Sequence, residues 1–119
     1  MKAKTQTVRV GDEEVEITES SGNVFADLGL PDAEELQAKA FMVSRIARLI
    51  ERKGLTQARA GKVLGIGQPK VSKLLRGRLS EFSTDTLRKY LNALGSDVEL
   101  VVRERPRARG VGHFSVRCA

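Results

Sequence analysis

The feature that most restricts the fold of this chain is a set of four glycines that divides residues 33–95 into short segments. The four are Gly54, Gly65, Gly77 and Gly95. Each segment has apolar residues at helical spacing and ends at a glycine, which can adopt the left-handed conformation that closes a helix. This spacing predicts one longer helix over about 33–53 and three shorter helices after it. Within residues 55–77, two short helices flank a turn of about three residues, which is the geometry of a helix-turn-helix.

Each predicted helix has a start signal and one apolar face. Asp32 and Glu35 form a capping-box-like pair before the first helix, whereas Thr56 and Ser83 are the expected caps of the second and fourth. The expected buried face of the first helix consists of Leu36, Ala40, Val43, Ile46, Ala47 and Ile50. In the next two helices the expected buried residues are Ala60, Val63 and Leu64, then Val71, Leu74 and Leu75.

The 119-residue chain is long enough for one compact domain with short extensions. Residues 1–30 form an acidic extension whose alternating pattern over 6–18 predicts a hairpin, and this extension is also a candidate partner-binding segment. Residues 31–96 form the helical domain, and 97–104 are strand-like. Residues 105–119 are predicted to be a basic, mobile tail.

The charges are unevenly distributed. Residues 1–36 carry three basic and nine acidic side chains, whereas residues 37–119 carry eighteen basic and six acidic ones. Eight basic residues and no acidic residue lie between Arg52 and Arg78 inclusive. Such a surface suits a polyanion, although charge alone is equally compatible with a solvated helical surface.

Other classes of protein fit poorly. No apolar run approaches the roughly 20 residues that cross a bilayer, and no apolar signal core follows Met1, so we expect a soluble, cytoplasmic protein with no membrane partner. A single cysteine, Cys118, and a single histidine, His113, predict neither an internal disulfide nor a zinc site, and both are interpreted as incidental. Lys62 is followed by valine, which argues against a phosphate loop. We therefore expect no enzyme, catalytic residue, metal or cofactor.

The residues from Leu55 to Gly77 resemble the Cro/C1-type (XRE-like) helix-turn-helix family. The matching residues are Leu55-Thr56-Gln57, Ala60-Gly61, Leu64-Gly65-Ile66, Gln68-Pro69, Val71-Ser72, Leu74-Leu75 and Arg76-Gly77. The resemblance implies a mainly α, Cro/C1-like bundle of four to five helices, here with a short N-terminal hairpin and a C-terminal β-strand. Gly61 replaces the usual alanine and Gly67 the usual capping residue, so a slightly looser motif is expected.

Segments outside the motif resemble the HigA-type antitoxins of this family. They are residues 23–29, the long first helix and residues 95–100. This resemblance implies a small basic RelE/HigB-like toxin as partner and repression of the protein's own operon. A stand-alone phage-type or metabolic repressor without a toxin is the alternative.

Helical spacing turns the polar residues of the third segment away from its apolar face, toward the major groove of a double-stranded DNA operator. The residues expected to contact DNA are Gln57, Gly67, Gln68, Lys70, Ser72, Lys73, Arg76, Arg78 and Thr84. Gln68 is the candidate for reading a base, Lys70 and Lys73 for contacting phosphate or guanine, and Arg76, Arg78 and Thr84 for contacting the backbone. In the family, the glutamine that matches Gln57 binds phosphate. For both glutamines, the alternative is an exposed helix-start residue.

The aromatic content of 4%, with no aromatic ring in the basic region, favours duplex DNA over RNA. A single motif makes few base contacts, so we expect a homodimer at the nucleoid. Residues 97–103 are the candidate dimerising strand, and pairing of this segment with the N-terminal hairpin of the same chain is the alternative.

Overall fold

The computed structural model describes residues 32–104 and 112–119, together with the backbone of residues 5–10 and 13–18. The helices are α1 (Ala33–Arg52), α2 (Gln57–Leu64), α3 (Gln68–Leu75) and α4 (Thr84–Ala93), with one turn of 3-10 helix, Leu79–Glu81, before α4. The four predicted helices are confirmed, and their four bounding glycines all have positive φ. The 3-10 turn was not predicted.

Two strands lie on the segment for which the sequence predicts a hairpin. β1 (Thr5–Val10) pairs antiparallel with β2 (Glu13–Thr18), and Val8 lies opposite Val15 in the register. The antitoxin-like motif at residues 23–29 lies outside the described residues.

The described helices bury one continuous core. Val43, Ile46, Val71, Leu74, Leu79 and Leu87 are its largest fully buried side chains. α1 packs against α4, and α2 packs against α3. Leu64 and Leu75 are half-buried at the edge of this core. The prediction for Ala60 is confirmed, whereas the prediction for Val63 is wrong, because Val63 is 44% exposed and α2 buries Gly61 beside Ala60.

Two of the three predicted caps are confirmed. The hydroxyl of Thr56 accepts a hydrogen bond from the backbone N–H of Arg59 at 3.2 Å, and Ser83 accepts one from Thr86 at 3.1 Å. The capping box at Asp32 is wrong: Asp32 has φ 53° and its side chain makes no capping bond. Its predicted partner, Glu35, instead pairs with Lys39 one turn later in α1.

The predicted C-terminal strand is absent from the described chain. Residues 97–104 form neither helix nor strand, and the sheet described contains only β1 and β2, so this segment does not pair with the hairpin. A strand requires a hydrogen-bonding neighbour, and residues 97–104 make no backbone hydrogen bonds to another segment of the described chain. Its apolar side chains are consequently exposed, by 78% at Leu100 and 86% at Val102.

Part of the segment predicted as a mobile tail has defined contacts. The Glu34 carboxylate bonds to the ring of His113 and accepts a hydrogen bond from the backbone N–H of Phe114 at 2.9 Å, while Val116 packs against the core. His113 is therefore not incidental. The Phe114 N–H, followed by His113, lowers the pKa of Glu34. Since the folded pKa is below the unfolded one, this contact favours the folded state at neutral pH and is lost as pH falls through the folded pKa.

The turn between α2 and α3 is tight rather than loose at Gly61. The Gly61 carbonyl accepts hydrogen bonds from the backbone N–H groups of Gly65 and Ile66, the latter at 2.9 Å. This arrangement brings the Ile66 carbonyl oxygen over the Gly61 Cα, so that a Cβ at position 61 would lie only 2.6 Å from it. The absence of a side chain at Gly61 therefore permits the close approach of the two helices.

We expect Gly61→Ala to lower the free energy of unfolding by about 1–3 kcal/mol, because overpacking against a backbone atom outweighs the gain of roughly 0.5–1 kcal/mol that alanine normally brings to a helix. Gly67→Ala is the control for added volume, since its Cβ would meet only Pro69 Cδ at an ordinary 3.6 Å. Because Gly67 is the N-cap of α3, where alanine is less favourable than glycine, a small loss of stability is expected there, below that of Gly61→Ala. Urea unfolding followed by circular dichroism measures both variants. A Gly61→Ala protein as stable as the wild type would contradict the close contact.

Candidate nucleic-acid interface

α3 has one buried side and one polar, exposed side. Val71 and Leu74 are completely buried in the core. The exposed side chains of this helix and its C-terminal end include Gln68, Lys70, Lys73 and Arg76, with Ser72 half-buried. The structure therefore brings the predicted amide, hydroxyl and cationic groups together on the solvent side of one helix.

The N-termini of α2 and α3 carry the two predicted glutamines. Gln57 is the first residue of α2 and Gln68 the first residue of α3, and both are exposed. The N-terminal N–H groups of a helix, together with its dipole, favour a nearby anion. Gly67, the exposed N-cap of α3, has no side chain to provide a capping bond. The first turn of α3 is therefore not capped by a side chain.

The cations of α3 have partners within the chain. Lys73 Nζ lies 3.6 Å from Glu81 Oε1, and Lys70 Nζ lies 5.9 Å from the centre of the Phe82 ring. Arg76 donates a hydrogen bond to the Ser72 hydroxyl at 3.0 Å. Three of the predicted DNA-contacting side chains are thus positioned by neighbouring groups.

The last two predicted residues, Arg78 and Thr84, lie beyond α3 and are only half-exposed. Arg78 precedes the 3-10 turn, and its Nε is buried without a hydrogen-bond partner. Thr84 is the first residue of α4, directly after the capping Ser83. Both are less accessible than the lysines of α3.

Comparison with known families identifies this arrangement. The family described as "Helix-turn-helix domain" matches residues 24–103, which include the four α-helices of the described residues. The chain belongs to this helix-turn-helix family. The expectation that it is not an enzyme agrees with this membership.

Two relatives show to which helix-turn-helix proteins this chain is similar. A solved structure named "Putative XRE Family Transcriptional Regulator" has 46% sequence identity and a TM-score of 0.68, and the match covers 75% of this chain and 100% of that chain. The Mycobacterium tuberculosis protein named "Putative antitoxin HigA2" is 34% identical over 59 residues. That match covers 50% of this chain and 58% of the relative's length. The resemblance to XRE-like, HigA-type helix-turn-helix proteins is thereby confirmed.

Within the described residues we looked for two other features, a membrane-spanning helix and a metal site. No helix there is long and apolar enough to cross a bilayer. No group of three or more histidine, cysteine, aspartate or glutamate residues in the same ranges is placed to hold a metal ion.

Two participants in the helix-turn-helix surface were missed in the sequence, Glu81 and Phe82. Glu81 is the first acidic residue after the acid-free run that ends at Arg78, and that position was the available signal. In the sequence, the position of Phe82 before Ser83 indicates only a hydrophobic staple with Leu87 at the start of α4. In the structure Phe82 lies in the core with 2% exposure and also beneath the Lys70 ammonium group.

Proposed function

We propose that the chain is a sequence-specific DNA-binding transcriptional regulator that inserts α3 into the major groove of an operator. The observation that carries the proposal is the two-sided character of α3, with Val71 and Leu74 fully buried and the polar side chains exposed. Duplex DNA offers the matching surface, since its major groove admits an α-helix and presents donors and acceptors on base edges. Binding to chromosomal DNA assigns the protein to the nucleoid in the cytoplasm.

The residue roles follow from position and chemistry. Gln68 at the first position of α3 reads a base, because a glutamine amide can donate to and accept from adenine. Lys70 and Lys73 contact phosphate or guanine. The remaining backbone contacts come from Gln57, Gly67, Ser72, Arg76, Arg78 and Thr84.

We further propose that the chain acts as a homodimer through residues 97–104. This segment has unpaired backbone and four apolar side chains that are exposed in the single chain: Val98, Leu100, Val101 and Val102. Pairing with the same segment of a second copy would satisfy the backbone and cover these side chains. A dimer that reads two half-sites must present two α3 helices about 34 Å apart, one turn of DNA.

The antitoxin function is favoured over a stand-alone repressor by the similarity to HigA2. In this proposal the acidic N-terminal segment binds a small basic RelE/HigB-like toxin, because residues 1–36 carry nine acidic and three basic side chains. DNA binding through α3 then represses the operon that encodes both proteins. A repressor without a toxin would use the same DNA surface and leave the acidic segment without a partner.

We expect Gln68→Ala to weaken operator binding by about 1–3 kcal/mol and to relax the preference at one base pair, because it removes a base-reading amide. The operator is first located by footprinting the upstream region of the protein's own gene, and binding is then measured on single-base variants. Gln57→Ala is the matched control, since loss of a phosphate contact weakens all sequences equally. An equally uniform loss for Gln68→Ala would assign that residue to the backbone instead.

For the dimer, Leu100→Lys should give a folded monomer, because the side chain is 78% exposed in the single chain and becomes charged where two copies would meet. Sedimentation velocity measures the oligomeric state and circular dichroism the folding. Ala93→Lys, an exposed change on α4 outside the segment, should remain dimeric. A Leu100→Lys dimer as tight as that of the wild type would exclude this interface.

The antitoxin function predicts that a basic protein encoded beside this gene co-purifies with the full chain and is lost when residues 1–30 are deleted. The deletion retains the helical core of residues 33–94, so operator binding by the deleted protein is the control for folding. Retention of the toxin after deletion would move its binding site to the helical domain or the tail. The lack of any such neighbouring gene product would favour the stand-alone repressor.

A further inference from the structure

One acidic side chain in the described structure pairs directly with a cation of α3. Glu81 Oε1 lies 3.6 Å from Lys73 Nζ, and the two side chains are 39% and 47% exposed. Glu81 is also the first acidic residue after the eight basic residues that run from Arg52 to Arg78. The surface assigned to DNA therefore contains a negative charge beside one of its lysines.

The backbone holds Glu81 in this position. Its N–H donates to the Arg78 carbonyl at 3.2 Å, and the Arg78 N–H donates to the Lys73 carbonyl, also at 3.2 Å. Leu79, the first residue of this 3-10 turn, and Phe82, which directly follows it, are buried in the core. The turn that carries the Glu81 carboxylate is thus tied directly to the end of α3.

The exposure of the pair indicates that fold stability does not require it. Ion pairs between solvent-exposed side chains contribute about 0–1 kcal/mol, because solvent screens the charges and two long side chains lose freedom. A carboxylate on a surface that binds phosphates also has a cost, since it repels every phosphate that approaches Lys73. A specific consequence for DNA binding is therefore expected.

We propose that Glu81 is a specificity-determining residue, which holds Lys73 for a base edge and opposes its binding to phosphates of any sequence. The proposal rests on the DNA-binding function proposed above. An ammonium group has three donors, so Lys73 can keep Glu81 as its ion-pair partner while it donates to a guanine acceptor in the groove. A phosphate at Lys73 instead brings a second anion close to the Glu81 carboxylate. Glu81 consequently weakens nonspecific binding more than operator binding.

The test compares Glu81→Gln with the wild type on the footprinted operator and on a scrambled duplex of equal length, by fluorescence anisotropy across about 50–200 mM salt. We expect the variant to bind the scrambled duplex about two- to tenfold more tightly, consistent with an exposed charge pair, and the operator by a smaller factor. The salt dependence on the scrambled duplex should become steeper by up to about 0.9, one additional phosphate contact.

Glu35→Gln is the matched control, because Glu35 is also an exposed glutamate paired with a lysine but lies in the first turn of α1. Glu35→Gln makes the same change in net charge, and it should change the affinity for the operator and for the scrambled duplex by the same factor. In a Lys73→Ala background, the effect of Glu81→Gln should shrink to that of Glu35→Gln, since Glu81 acts through Lys73. Thermal unfolding of each variant, with Glu81→Ala as a second substitution at the position, separates binding from folding.

The possible outcomes distinguish this role from the DNA-binding function itself. If Glu81→Gln and Glu35→Gln have the same effect, Glu81 has no special role, although the proposed function stands. If Glu81→Gln weakens operator binding and removes a preference for cytosine, Glu81 contacts a base directly and the counter-ion role is overturned. A wild-type protein that binds neither duplex at low salt overturns the proposed function together with the role of Glu81.

Discussion

The burial of Val71 and Leu74 determines how the rest of the DNA-facing surface is arranged. α3 has eight residues, and an isolated helix of that length is not stable in water, so its structure depends on tertiary packing. Both side chains are fully buried in the core, which fixes the rotation of α3 about its own axis. Gln68, Lys70 and Lys73 are exposed as a direct result of that rotation.

The close approach at Gly61 provides the second constraint on α3. Two backbone N–H groups bond to the Gly61 carbonyl, and the Ile66 carbonyl passes over the Cα with no space for a side chain. In the sequence, glycine in place of the usual alanine at position 61 suggests a looser motif. In the structure, the missing side chain is what allows the close contact within this turn. The turn fixes the direction of the α3 axis, and the buried residues fix the rotation of α3 about that axis. Together these two constraints explain why such a short helix has a defined exposed side.

Local signals made the helices predictable from the sequence. Thr56 and Ser83 cap their helices, and the four glycines close them, because caps and left-handed turns depend on only a few consecutive residues. The C-terminal strand was wrong because strand pairing depends on a neighbour distant in sequence. Glu34 likewise bonds to His113 and Phe114, about eighty positions away, a contact that no local pattern indicates.

The exposed surface of α3 was predictable as a set of residues but not as a set of interactions. Helical spacing identifies the outward side chains, yet the partners of Lys70 and Lys73 come from the turn that follows α3, where an unpredicted 3-10 helix positions Glu81 and Phe82. When a lysine lies over an aromatic ring or beside a carboxylate, its ammonium group points toward that partner. Its effective charge also differs from that of a free cation. The number of basic residues therefore overstates the attraction that this surface exerts on a phosphate, and the turn between α3 and α4 contributes to how selectively that attraction is used.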